Sequence, residues 1–153
     1  MRVLGVFIIV VFFFLLGCVK QGTWEQVQTV EQMKWNVNKT FTFEYPSTDT
    51  INNYNVYIDV RHAAQYKYSN LYIFVTTKAP NGRSIKDTLE FQLANTKGQW
   101  YGSGLSDIKE LRLCYKAGIK FGQAGNYFFK IEQAMRDEVL QHITDIGVRI
   151  EKN

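Results

Sequence analysis

The chain has 153 residues, 46% of them hydrophobic and 15% aromatic, with a formal net charge of +4. That length fits one domain able to bury roughly two thirds of its unfolded surface. Lys and Arg are scattered singly, so the clustered basic face of a nucleic-acid binder is excluded.

The first predicted element is an export signal. Arg2 is followed by Val3 to Leu16, almost wholly Val, Ile, Leu and Phe, and then by Gly17 and Cys18. A basic start, an apolar middle and a small residue at the cut are the parts of a secretory signal. Fourteen helical residues would span only ~21 Å, against about 30 Å of bilayer hydrocarbon, so a transmembrane anchor is disfavoured. Leu15, Gly17 and Cys18 resemble the lipobox of bacterial lipoproteins, in which the cysteine thiol takes a diacylglyceryl group and cleavage occurs on its amino side. The expected organisation is a cleaved signal helix over 1–17, a tether over 18–23 and one domain over 24–153. Loss of Arg2 lowers the net charge to +3. With Cys18 acylated, Cys114 has no partner, and the expectation for it is a buried thiol acting as a small hydrophobe.

Beyond the tether the pattern is that of strands. Trp24 to Val37 reads as an edge strand and then a short turn in which Trp35 plugs the core. Phe41, Phe43 and Tyr45 alternate with polar residues, as do Tyr54, Val56, Ile58 and Val60, which is the period of a half-buried strand. Ser69 to Thr77 is apolar on both faces and reads as a central strand covered on each side. Pro80-Asn81-Gly82-Arg83 is a tight turn, and Thr88 to Leu93 returns with Leu89, Phe91 and Leu93 inward. Gly98 to Gly104 brackets the pair Trp100-Tyr101. Leu111, Leu113 and Tyr115 alternate again before a kink at Gly118, and Gly122 to Gly125 turns the chain. Tyr127, Phe129 and Ile131 precede the final strand of Ile146, Val148 and Ile150. One helical turn is expected, over Gln133 to Leu140. About eight short strands with turn signals between them predict an all-β fold, an antiparallel β-sandwich of jelly-roll type.

Catalytic chemistry finds little support in these residues. His62 and His142 lack second ligands at metal-site spacing, and each reads as a surface or loop histidine. Ser103 lies outside a G-x-S-x-G frame, because Tyr101 stands two places before it. Asp87 and Glu90, three apart on a strand, point to opposite faces and cannot share acid–base work. Asp107 and Glu110 are another carboxylate pair without a supporting pattern. No cofactor is expected and the chain reads as a non-enzyme. Two surface readings stay open. Exposed aromatics such as Trp100, Tyr101, Tyr57 and Tyr72 suit the apolar faces of sugars, or equally core and rim packing. Glu132 and Arg136, paired at i,i+4 on a helical turn, suit a structural lock, with Arg136 otherwise part of a docking patch.

Several runs carry a family resemblance. Tyr66-Lys67-Tyr68-Ser69-Asn70-Leu71, Asp87-Thr88-Leu89-Glu90, Gly98-Gln99-Trp100-Tyr101-Gly102, Tyr127 to Arg136 and Asp145-Ile146-Gly147-Val148-Arg149 stand in the order of the GldH family. The chain resembles these gliding-motility-associated lipoproteins of Bacteroidetes over essentially its whole mature length. The resemblance implies an envelope lipoprotein with no assigned activity, lipidated at Cys18. It further implies partners in a motility machinery linked to type IX secretion. Val19 to Thr23 lack the acidic tract that resembles a surface-export signal in that phylum, so an outer-membrane protein facing the periplasm is expected. The alternative is a glycan-binding envelope lipoprotein. Trp100, Tyr101 and Arg136 are the candidate residues for either a partner or a glycan.

Overall fold

The computed structural model describes residues 22–104 and 106–153. The expected signal helix, Cys18 and most of the tether lie outside the described residues.

Among the described residues ten strands follow in chain order: β1 (Thr23–Thr29), β2 (Lys34–Asn36), β3 (Phe41–Ser47), β4 (Tyr54–Ala63), β5 (Asn70–Lys78), β6 (Ser84–Gln92), β7 (Ile108–Ile119), β8 (Gly125–Gln133), β9 (Val139–Gln141) and β10 (Ile143–Lys152). Eight of them form two four-stranded sheets, ordered β1-β10-β4-β7 and β3-β8-β5-β6. Every pairing is antiparallel. The chain crosses between the sheets at each long connection except the β5–β6 hairpin, which is the double Greek key of a jelly roll. The all-β sandwich expected from the alternating residues is therefore the fold. The two short strands β2 and β9 pair with each other as a separate ribbon.

Alternation puts one residue in two between the sheets. Phe41, Phe43, Val56, Ile58, Val60, Leu71, Ile73, Val75, Phe129, Ile131, Ile146 and Val148 are all buried there. Trp35 is fully buried, as expected. Its ring packs edge-on against Phe41 at 5.4 Å, and its indole N–H donates to the Lys39 carbonyl at 2.9 Å. The Pro80 turn closes on Ala79 and Arg83 with Gly82 at φ +84°, a conformation that glycine adopts without a Cβ clash. Gly118 has φ +62°, opposite irregular pairing on β4, so the expected kink is present.

Five expectations are corrected. Gln133 to Leu140 forms no helical turn. Gln133 is the last residue of β8, and its buried side chain donates to the Asp137 carbonyl and accepts from Met135 N–H, clasping an irregular loop instead. Glu132 consequently pairs across the sheet with Lys86 at 3.1 Å, not with Arg136. Cys114 is exposed, because Leu111, Leu113 and Tyr115 take the inward positions of β7 and Cys114 falls on the opposite face. His62 is fully buried, because it continues the inward register of Val56, Ile58 and Val60 along β4. β5 is interior to its sheet, but only one of its faces is covered. Tyr72 is exposed and Phe74 half-buried on the other, where Lys86 Nζ sits 4.3 Å above the Phe74 ring.

The outer face of the β1-β10-β4-β7 sheet is an ionic lattice set by strand register. Arg112 grips Asp59 through two bonds of 2.7 and 2.8 Å. Arg61 meets Glu110 at 2.7 Å, and Arg149 meets Glu25 at 2.7 Å. Gly147 lies among them, where a Cβ would stand 3.3 Å from Asp59 Cβ and 3.2 Å from Val27 Cγ2. These side chains satisfy one another, so this face binds itself.

Candidate docking end

Strand direction sorts every connection to one of two ends. The start of β1, the β3–β4, β5–β6 and β7–β8 connections and the end of β10 lie together. The turn after β1, the β4–β5 and β6–β7 connections and the β8–β9 loop lie at the other end. β4 and β10 each run for ten residues, so about 30 Å separates the ends. The end where β1 begins is the anchor end, and the opposite one is the distal end.

The three candidate residues all lie at the distal end, but they do not form one platform. Trp100 bridges Ala94 in the β6–β7 connection and turns inward. Its ring meets the buried His62 imidazole edge-on at 4.6 Å. Tyr101, the next residue of that extended segment, points the other way and is 59% exposed. Arg136 is exposed on the β8–β9 loop and shares a recess of about 250 Å³ with Tyr68, Tyr72, Ala134 and Met135. Tyr57 lies on the ionic sheet face beneath Arg112, 6.0 Å from its ring centroid. A stack of rings joins the β6–β7 connection to the recess: Trp100 to His62, His62 to Tyr66 at 5.7 Å, and Tyr66 to Tyr68 at 5.9 Å. Tyr68 then donates to Asp137 at 2.7 Å.

A second cleft, of about 580 Å³, opens on the other side of this end, lined by Met33, Arg61, Ser103, Glu110, Thr144 and Asp145. Ser103 is held by backbone bonds to Glu110 in both directions, a bridge between segments and not a nucleophile elbow. Among the described residues no three His, Cys, Asp or Glu side chains are gathered as a metal site needs.

Backbone strain and unpaired polar groups gather here. Gln32, Met33, Ser106 and His142 have φ between 52° and 70°, and all four lie at the distal end. For residues with a Cβ the left-handed region costs about 1–2 kcal/mol each, and such strain persists where function or surrounding structure demands it. Met33 accepts from His142 N–H at 2.7 Å, so two of the four hold each other. His62 Nδ1 lies 3.0 Å from the Ala63 carbonyl and acts as the donor to it. Among the described residues its Nε2 and the buried Thr144 hydroxyl have no hydrogen-bond partner. Burial pushes the His62 pKa down; the Ala63 carbonyl opposes this and Lys109 adds to it. Sequence reasoning missed Met33 and Met135, which lie in connections between strands, and Thr144, which sits at a register irregularity near the start of β10. For His62 the signal was present in the alternation of β4.

The family model for "GldH lipoprotein" matches residues 23–150. The chain is 35% identical over 144 residues to the gliding motility lipoprotein GldH homolog of Christiangramia forsetii, covering 90% of this chain and 88% of that one. It is 36% identical over 145 residues to the gliding motility lipoprotein GldH of Flavobacterium johnsoniae, covering 90% and 89%. Among solved structures, latent PorU of Porphyromonas gingivalis is similar at 12% identity and TM-score 0.40, over 86% of this chain and 13% of that one, a likeness too slight to bear on function. The match to the family model spans both sheets and the whole distal end, and the chain belongs to the GldH lipoprotein family.

Proposed function

We propose that this protein is a non-catalytic envelope lipoprotein, held by acyl chains on Cys18, whose distal end docks partners in a gliding or type IX secretion-linked machinery. The observation that carries the reading is family membership over residues 23–150, joined to the Leu15-Leu16-Gly17-Cys18 run that precedes it. Two or more acyl chains give stable membrane residence, where one gives only reversible binding. Anchoring confines the body to a surface layer and raises its effective concentration for partners there. The sandwich then holds Tyr101, Met33 and the Arg136 recess on its far side, about 30 Å away. The expected membrane is the outer one, with the body in the periplasm. A glycan-binding role draws less support, since the Trp100 ring packs against the buried His62 imidazole and does not form one platform with Tyr101.

The test is Cys18→Ala in cells. The account expects loss of fatty-acid labelling, release of a folded body into the soluble envelope fraction, and loss of the motility or secretion phenotype. Retained labelling removes the anchor from the account, and retained function without labelling removes the need for it.

A further inference from the structure

The anchor end carries an exposed apolar side chain that the fold holds in place. Ile51 is 78% exposed, more than any other large hydrophobic residue described. It sits in the β3–β4 connection, whose shape is fixed by one carboxylate. Asp49 Oδ1 accepts from the N–H groups of Ile51 and Asn52 at 2.9 and 3.1 Å. Its Oδ2 accepts from Asn52 Nδ2 at 2.6 Å and Tyr54 O–H at 3.0 Å. These hydrogen bonds, the Asn52 side chain's first among them, hold the Asp49 carboxyl well below the usual carboxylate range, so the clasp stays charged. A loop this well tied could have folded an isoleucine inward, yet it projects one into solvent.

The same loop adjoins the start of the body. Gly22 accepts from Lys152 N–H at 3.0 Å, Lys152 Nζ reaches Asp49 at 3.4 Å, and Asn153 N–H donates to Asn53 at 3.0 Å. From Gly22 back to Cys18 is four residues, which at full extension reach at most about 14 Å. Side-chain charge at this end is also net positive. Its connections and the last two residues of β10 carry Arg83, Lys120 and Lys152 against Asp49 and Glu151, whereas the distal connections balance Lys39, Lys67, Lys97 and Arg136 with Glu31, Asp107, Asp137 and Glu138.

We infer that the anchor end is a membrane-docking face, with Ile51 seated in the interface of the bilayer that holds the acyl chains and with Arg83 and Lys120 against anionic lipid headgroups. The inference rests on acylation of Cys18 and goes beyond it, since it fixes the orientation of the body. An acyl tether alone leaves the sandwich free to tumble. A second contact at Ile51 stands it upright and directs the distal end away from the membrane. The occupant is lipid because the short tether keeps this face within reach of headgroups and the excess charge is positive.

The test uses the acylated full-length protein in vesicles of phosphatidylcholine with phosphatidylglycerol. With Cys114→Ser as background, spin labels are placed through Ile51→Cys and, at the distal end, Thr96→Cys. The expected result is a label at 51 accessible to oxygen and shielded from an aqueous nickel chelate, with the label at 96 showing the reverse. Adding Arg83→Glu and Lys120→Glu should move the label at 51 toward water. If the protein floats with vesicles but both labels are equally aqueous, the docking face is overturned and the anchor stands. A label at 51 shielded from both reagents, as beneath a protein partner, also overturns it. Failure to float removes the anchor reading and this inference with it.

Discussion

The two ends of the sandwich solve the same problem, turning the chain between sheets, in opposite ways. At the anchor end the left-handed positions are glycines: Gly22, Gly82, Gly118 and Gly125. At the distal end Gly98 does the same, but Gln32, Met33, Ser106 and His142 also take that conformation, with full side chains. The anchor end thus turns without strain and has a surplus of positive side-chain charge. The distal end accepts strain, a buried histidine with an unpaired nitrogen and two recesses, while its loop charges balance. A body selected only for stability would place glycine at every one of these positions. The contrast marks the distal end as the part whose surface shape matters, and the anchor end as the part that presents charge.

Removing the plug beneath the distal end should have the largest effect. Trp35→Ala is expected to cost ~3–5 kcal/mol in urea unfolding, whereas Ile51→Ala at the anchor end should fall within about 0.5 kcal/mol of wild type. A large loss for Ile51→Ala would mean that its side chain packs after all. Next comes the ionic sheet that ties one end to the other. Asp59→Ala leaves Arg112 without its two-pronged partner and should cost about 1.5–3 kcal/mol, measured by the shift of the urea midpoint. The strain itself is tested by His142→Gly, which should raise stability by up to ~1 kcal/mol. If the distal conformation serves docking, the same variant should lose partner capture while becoming harder to unfold.

The smallest effect is one of pH. Burial holds His62 neutral, with its pKa below the ordinary imidazole value near 6.5, so the unfolded chain takes up a proton first as the pH falls. The stability it contributes is complete above about pH 6.5 and declines as the pH drops through that value toward the lowered folded one. Melting temperature should therefore fall as the pH drops below about 6.5, and His62→Gln should flatten that segment of the curve. An unchanged slope in the variant would assign the pH dependence to other groups.

How much of this was legible in the sequence follows from what alternation can and cannot encode. Phe41-Phe43-Tyr45 and Val56-Ile58-Val60 state their buried faces outright, and enough such runs with turns between them dictate a sandwich. Carried one step further, the same period places His62 inside and Cys114 outside; both were misread by treating residue type as stronger evidence than register. The Gln133 to Leu140 loop was misread as helical because a polar side chain, not a backbone period, sets its course. The distal end was only half legible. Trp100, Tyr101 and Arg136 stand out by type, and all three lie there. Which of them face solvent depends on the direction of single residues in the β6–β7 and β8–β9 connections. The left-handed Met33 and His142 leave no sequence trace, because nothing in either residue asks for that conformation.

The most direct test of a body with one end for membrane and one for partners is photocrosslinking in living cells, with a benzophenone side chain introduced at Tyr101, Arg136 or Ile51 in turn. The account predicts envelope-protein adducts from positions 101 and 136, and lipid but no protein adducts from 51. Protein adducts from 51 with none from 101 or 136 would contradict it.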